Sequence, residues 1–169
     1  MLFDVEQACC LSGLIMHSED AKCYNASVKR SDHPAGVSPK EKKMQEYSHT
    51  TQKSYLETIR VLKEKLAEKK FGVLSAIDLP EKFKEKGLTY DGSFTILEIC
   101  NPFEAHTALL LNPKVVFFLP CKLVVRESDG FGVVEMIRPT SSISELGDEG
   151  LKHFATQIEA TLIEVIENV

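Results

Sequence analysis

The sequence predicts an α+β domain in which a mostly antiparallel sheet carries its helices packed on one face, a two-layer arrangement. Three observations predict it. The apolar, β-branched runs from Val115 to Arg126 and from Phe131 to Arg138 flank Glu127-Ser128-Asp129-Gly130. An Asp-Gly pair between two such runs is the signal for a tight hairpin, so these strands should pair antiparallel. From about Asp148 to Asn168, Leu151, Phe154, Ile158, Leu162 and Val165 recur at helical spacing, which gives a long amphipathic helix with one face for a sheet. A second such helix begins at Ser54, where Tyr55, Ile59, Leu62 and Leu66 share a stripe.

Taken in chain order, the first expected strand lies around Met44 to Thr50. Ser54 with Glu57 then has capping-box spacing, and the helix it opens runs until Phe71-Gly72. The charged stretch from Lys63 to Lys70 is interrupted by glutamates and reads as the solvated side of that helix. Lys70 to Ile77 is a strand. Asp78 and Glu81 repeat the capping spacing around Pro80, and Gly87 stops a short helix. Phe94 to Cys100 is the next strand. Asn101-Pro102-Phe103-Glu104 then supplies an N-cap, a proline at the first helical position and an acid near the positive helix end, and Asn112-Pro113 terminates the helix.

The 169 residues and 43% hydrophobic content support one ordinary core and not two, so a single domain over 44–169 with a poorly structured extension over 1–43 is expected. That extension ends in SDHPAGVSPKEKK, and only a weak helix from Leu2 to Met16 is suggested within it. A formal charge of −5 argues against binding to nucleic acid or an anionic membrane, and neither nucleic acid nor a membrane is expected as a partner. The five cysteines form no C-x-x-C pair, which favours a reducing, cytoplasmic setting. Asp4 and Glu6 stand where a signal peptide carries positive charge, and the apolar stretch from Ala8 to Met16 is too short to span a bilayer. Cys9, Cys10, His17, Cys23 and His33 lack the ligand pairing of a zinc finger, and no cofactor or metal is expected. No internal repeat, phosphate-binding glycine loop or H-E-x-x-H motif is present.

A capped helix, FGVLSAID, a short helix with its glycine stop, ILEICNPFEAHTAL, FFLPCKLVV, a hairpin and a closing amphipathic helix follow one another in this chain. That order resembles the family catalogued as domain of unknown function 302, over about residues 45 to 168. The most specific points of likeness are Cys100-Asn101-Pro102 with Ala105, and Leu119-Pro120-Cys121. The resemblance implies a compact two-layer α+β sandwich similar to the TATA-binding-protein-like architecture. It implies no settled biochemical role.

The candidate chemistry centres on Cys100, which precedes the Asn101 cap where free amides and the helix dipole favour a thiolate. The bland alternative, a small apolar residue closing a strand, is preferred. Cys121 shares strand parity with Leu119, Leu123 and Val125, a face that looks like core, and a Cys100–Cys121 redox pair is conceivable. His106, one turn beyond Asn101, could complete a metal trio with the two thiols, although a solvent-facing histidine is preferred. Phe94, Ile96, Glu98 and Cys100 share one strand face, as do Phe131, Val133, Glu135 and Ile137. A one-sided helix layer would leave Phe94, Ile96, Phe131 and Val133 needing cover. Lys122 and Arg126 are expected to join that face and pair with Glu98 and Glu135.

Two functions follow. The favoured one is a non-enzymatic ligand-binding or dimerisation module, a homodimer that binds a small apolar or anionic ligand through Glu98, Cys100, Asn101, His106, Cys121 and Lys122. The alternative is a thiol-dependent redox or sulfur-handling protein with Cys100 as nucleophile and Cys121 as its partner. No complete catalytic constellation is visible, which leans against an enzyme.

Overall fold

The structure, a computed structural model, describes residues 45–169. The expected extension over 1–43, its weak helix and its three cysteines lie outside the described residues. Five strands, β1 (Glu46–Thr50), β2 (Gly72–Asp78), β3 (Phe94–Cys100), β4 (Cys121–Ser128) and β5 (Phe131–Ile137), form one sheet in the order β1-β5-β4-β3-β2. Each neighbouring pair is antiparallel. The helices are α1 (Tyr55–Glu68), α2 (Leu79–Lys84), α3 (Pro102–Leu111), α4 (Pro139–Ile143) and α5 (Glu149–Glu167), with 3-10 turns at Pro113–Phe118 and Ser144–Leu146. Among the described residues no helix is long and apolar enough to cross a membrane.

Alternation along the strands decides which face is core. In β3, Thr95, Leu97 and Ile99 are buried, while Phe94, Ile96, Glu98 and Cys100 are half-buried. Leu97, Ile99, Leu123, Val125, Val134 and Met136 meet Leu62 and Leu66 of α1 and Ile158, Leu162 and Val165 of α5 in one cluster, so the two long helices cover one face of the sheet. A second, smaller cluster of Ala108, Val115, Ile143, Leu151 and Ala155 joins α3, the Pro113–Phe118 turn, α4 and the start of α5. Phe154 packs against both.

On the opposite sheet face, Arg126 Nε donates to Glu135 Oε1 at 3.1 Å, as expected, and Lys122 stands opposite Glu98 in the β3–β4 ladder. The apolar residues there need less outside cover than the alternation suggests. Val133 is only 2% exposed, and the Phe94 ring meets Tyr90 edge-on with centroids 5.3 Å apart, while Tyr90 in turn contacts Phe83 of α2.

Local signals account for most boundaries. Asp129 and Gly130 have φ of 51° and 82°, the two positive values that the two-residue hairpin turn requires. Asp78 Oδ1 accepts from Glu81 N at 3.0 Å, which caps α2 as its sequence spacing implies. Ser54 differs: it occupies the N-cap position of α1, but its side chain makes no capping bond, and Glu57 pairs with Arg60 instead of reaching back. Its carbonyl still accepts from Thr58 N at 2.8 Å.

The strand expected from Val115 is also shorter than its apolar run. Asn112 Oδ1 accepts from Lys114 N and Pro113 fixes the first turn, so Pro113–Phe118 winds as a 3-10 segment and β4 starts only at Cys121. At the other end of α1, Phe71 N donates to Leu66 O and Lys70 N to Ala67 O, a Schellman closure that places Lys70 at φ 64° and delays β2 to Gly72.

Candidate functional site

The site grows out of one end of the sheet. β3 stops at Cys100 because Asn101 turns into a cap: its Oδ1 accepts from Phe103 N at 3.1 Å and from Glu104 N at 3.5 Å, and Pro102 has no amide proton to satisfy. β4 starts beside it, with Cys121 directly opposite Ile99. The two sequence-predicted thiols are therefore brought to the same sheet end by a strand terminus and a strand origin. Both are free and partly buried.

Above this end the second cluster does not close fully onto the first. The gap is a cavity of about 450 Å³, with Ile99, Met136 and Leu162 on the main-core side and Ala108, Val115 and Ile143 on the other. Its polar lining residues are Glu98, Cys100, Asn101, Glu104, Cys121, Lys122 and Ser142. Burial, with the neighbouring Cys100 adding to it, pushes the Cys121 thiol up to about 11, so that sulfur is a neutral thiol at neutral pH.

Two polar clasps hold the outer wall in place. Asn112 Nδ2 donates to Asp148 Oδ2 at 3.1 Å, and Asp148 Oδ1 accepts from Leu151 N at 3.0 Å, which ties the end of α3 to the start of α5. Glu159 of α5 accepts from Arg138 Nη1 at 2.7 Å and from Thr140 N at 3.1 Å, which fixes α4. Burial raises the Glu159 carboxyl, but these bonds outweigh it and hold the group below its ordinary value.

Of the residues singled out from sequence, Glu98, Cys100, Asn101, Cys121 and Lys122 all line the cavity. His106 does not: it is exposed on α3, outside the space that the two thiols share. Among the described residues no three His, Cys, Asp or Glu side chains gather to hold a metal ion. The wall residues Phe117, Phe118, Pro139, Ile143 and Phe154 were not legible as site residues. A signal for part of that wall existed, since Asn112-Pro113 repeats the Asn101-Pro102 start pattern and opens a helical turn as well as ending one.

A two-layer α+β domain with a cavity at one end of its sheet is the class of protein that this geometry defines. The family model for Domain of unknown function DUF302 matches residues 47–169, and the chain belongs to that family. The crystal structure of an uncharacterized conserved protein DUF302 from Bacillus stearothermophilus is similar, with a TM-score of 0.71 and 38% identity over 74% of this chain and 98% of that one. No curated protein matches the chain.

Proposed function

We propose that this domain is a non-enzymatic binding module that takes one small, mainly apolar ligand into the cavity at the sheet end, in a reducing cytoplasm. The observation that carries the reading is the cavity itself. Its volume of about 450 Å³ suits a small molecule, its walls are chiefly apolar, and a few polar side chains converge on it. The lining carries two carboxylates, Glu98 and Glu104, against the single ammonium of Lys122, which favours a neutral polar head on the ligand over an anionic one. Fluorescence titration with the uncharged probe N-phenyl-1-naphthylamine tests this. Saturable binding that weakens about tenfold in an Ala105→Leu variant of unchanged melting temperature supports the reading; no binding by the native chain sinks it.

A second reading rests on the two free thiols sharing one cavity. With Cys121 held neutral, Cys100 is the nucleophile of a thiol-dependent redox or sulfur-handling protein. Alkylation rates at Cys100 across a pH series decide it: a thiol that stays inert below pH 8 leaves the binding module alone. Self-association is a separate arm of the first reading, supported by Phe131 at 41% and Ile137 at 38% exposure on the open sheet face. Light scattering at high micromolar concentration checks it, and a monomer there removes it.

A further inference from the structure

Among the described residues the buried polar side chains are Thr51, Thr58, Thr95 and Asn101. Thr51 and Thr58 bond each other, and Thr95 bonds the Tyr55 hydroxyl. Asn101, only 7% exposed, uses one half of its amide. Its Oδ1 accepts from Phe103 N and Glu104 N, which fixes the orientation of the group, because the flipped amide would set its NH2 against two N–H donors. Nδ2 is thereby turned away from those amides, and among the described residues it has no hydrogen-bond partner. Nor is it sealed in, since no fully buried side-chain nitrogen or oxygen among the described residues is left unpaired. The open space that Asn101 lines is the cavity. Asn112 shows the contrast: it caps the next turn in the same way, with Oδ1 on Lys114 N, but its Nδ2 is taken by Asp148. Asp or Ser would cap as well as Asn, so capping alone does not account for the unpartnered amide of Asn101.

We propose that Asn101 Nδ2 is the donor that recognises the polar head of the cavity's ligand, and that this head is an uncharged carbonyl, as in a ketone, ester or amide, an inference that rests on the cavity being a ligand site. A wholly apolar ligand would strip water from Nδ2 and leave a buried donor unpaired, which costs affinity. A carbonyl oxygen takes the place of that water. An anionic head fits less well, because the first-turn amides that would hold it are already used. Phe103 N and Glu104 N donate to Asn101 Oδ1, Ala105 N donates to the Asn101 carbonyl, and Pro102 has no amide proton. Glu98 and Glu104 on the lining also repel negative charge. The cap thus neutralises the helix end as an anion site and presents one fixed, uncharged donor in its place.

The experiment compares two uncharged naphthalene dyes on the full chain by fluorescence titration: Prodan, which carries a ketone, and N-phenyl-1-naphthylamine, which has no carbonyl. Asn101→Asp keeps the capping oxygen and removes the donor, and Asn101→Ser keeps a cap without adding charge, its one polar side-chain atom held on the helix amides. Both variants should weaken Prodan binding about tenfold, the effect of one lost hydrogen bond, and leave N-phenyl-1-naphthylamine binding unchanged. The infrared ketone band of Prodan bound to the native chain should lie below its position in hexane and return toward it in both variants. Two dyes weakened alike, two dyes unaffected, or a ketone band unshifted in the native complex overturns the assignment to Asn101 while the cavity reading stands. A native chain that binds N-phenyl-1-naphthylamine but not Prodan overturns it as well. If neither dye binds the native chain, the cavity reading falls and the carbonyl head falls with it.

Discussion

The two ends of the sheet are packed in opposite ways. At the hairpin end, α1 lies directly on backbone: a Cβ on Gly132 would stand 2.2 Å from Thr58 Oγ1. Thr51 Oγ1 meets Thr58 Oγ1 at 2.8 Å and donates to Gly132 O at 3.0 Å, while Gly132 N donates to Lys53 O at 2.8 Å. At the other end, α3 and the Pro113–Phe118 turn stand off from β3 and β4 and leave a cavity of about 450 Å³. The difference teaches how one small domain divides its work. Contact between a helix and bare backbone admits no extra atom, whereas a seam walled by side chains from two separate clusters has room that a ligand can take.

The largest expected effect breaks the tight end. Gly132→Ala should cost about 3 kcal/mol in urea unfolding, because Thr58 is held by Thr51 and cannot yield to the new methyl. A cost under about 1 kcal/mol would mean that the approach is looser than described. Asn101→Ala removes the cap at the cavity floor and should cost about 1 kcal/mol, read by the same unfolding curves.

The pH dependence sharpens the cavity end. The Cys121 thiol is raised from an ordinary 9.0 to about 11 in the folded protein, so the folded state keeps its proton where the unfolded chain gives it up. This contribution is fully present below pH 9 and is lost as pH rises through about 11. The melting temperature of the native chain should therefore fall across that window more than that of Cys121→Ala; parallel curves would contradict it. The smallest effect is a gain: Lys70 adopts φ 64° in the closure of α1, and Lys70→Gly should add about 0.5–1 kcal/mol, read by the same urea unfolding curves.

Much of the fold was legible because its signals are local. The Asp129-Gly130 turn, the caps at Asp78 and Asn101, and the apolar stripe of α5 each follow from a few adjacent residues. The run from Val115 misled because apolar, β-branched residues suit a strand, while the cap at Asn112 and the proline after it outweigh that preference over Pro113–Phe118. The site was legible only along the strands. Glu98, Cys100, Cys121 and Lys122 come together through the β3–β4 register, which nearby punctuation fixes. Ile143 and Phe154 join them through packing of α4 and α5, a relation between distant segments that no local pattern encodes. His106 shows the converse, since a place one turn from Asn101 put it on the outer side of α3.

Methyl NMR spectra recorded while N-phenyl-1-naphthylamine is titrated in test the contrast between the two ends most directly. Ile99, Val115, Ile143 and Leu162 line the cavity and should shift with one saturating curve, while Leu62 of α1, which does not line it, should hold still. Shifts spread evenly over both ends with Leu62 moving as far as the cavity methyls, or no shift at the cavity methyls, would contradict the account.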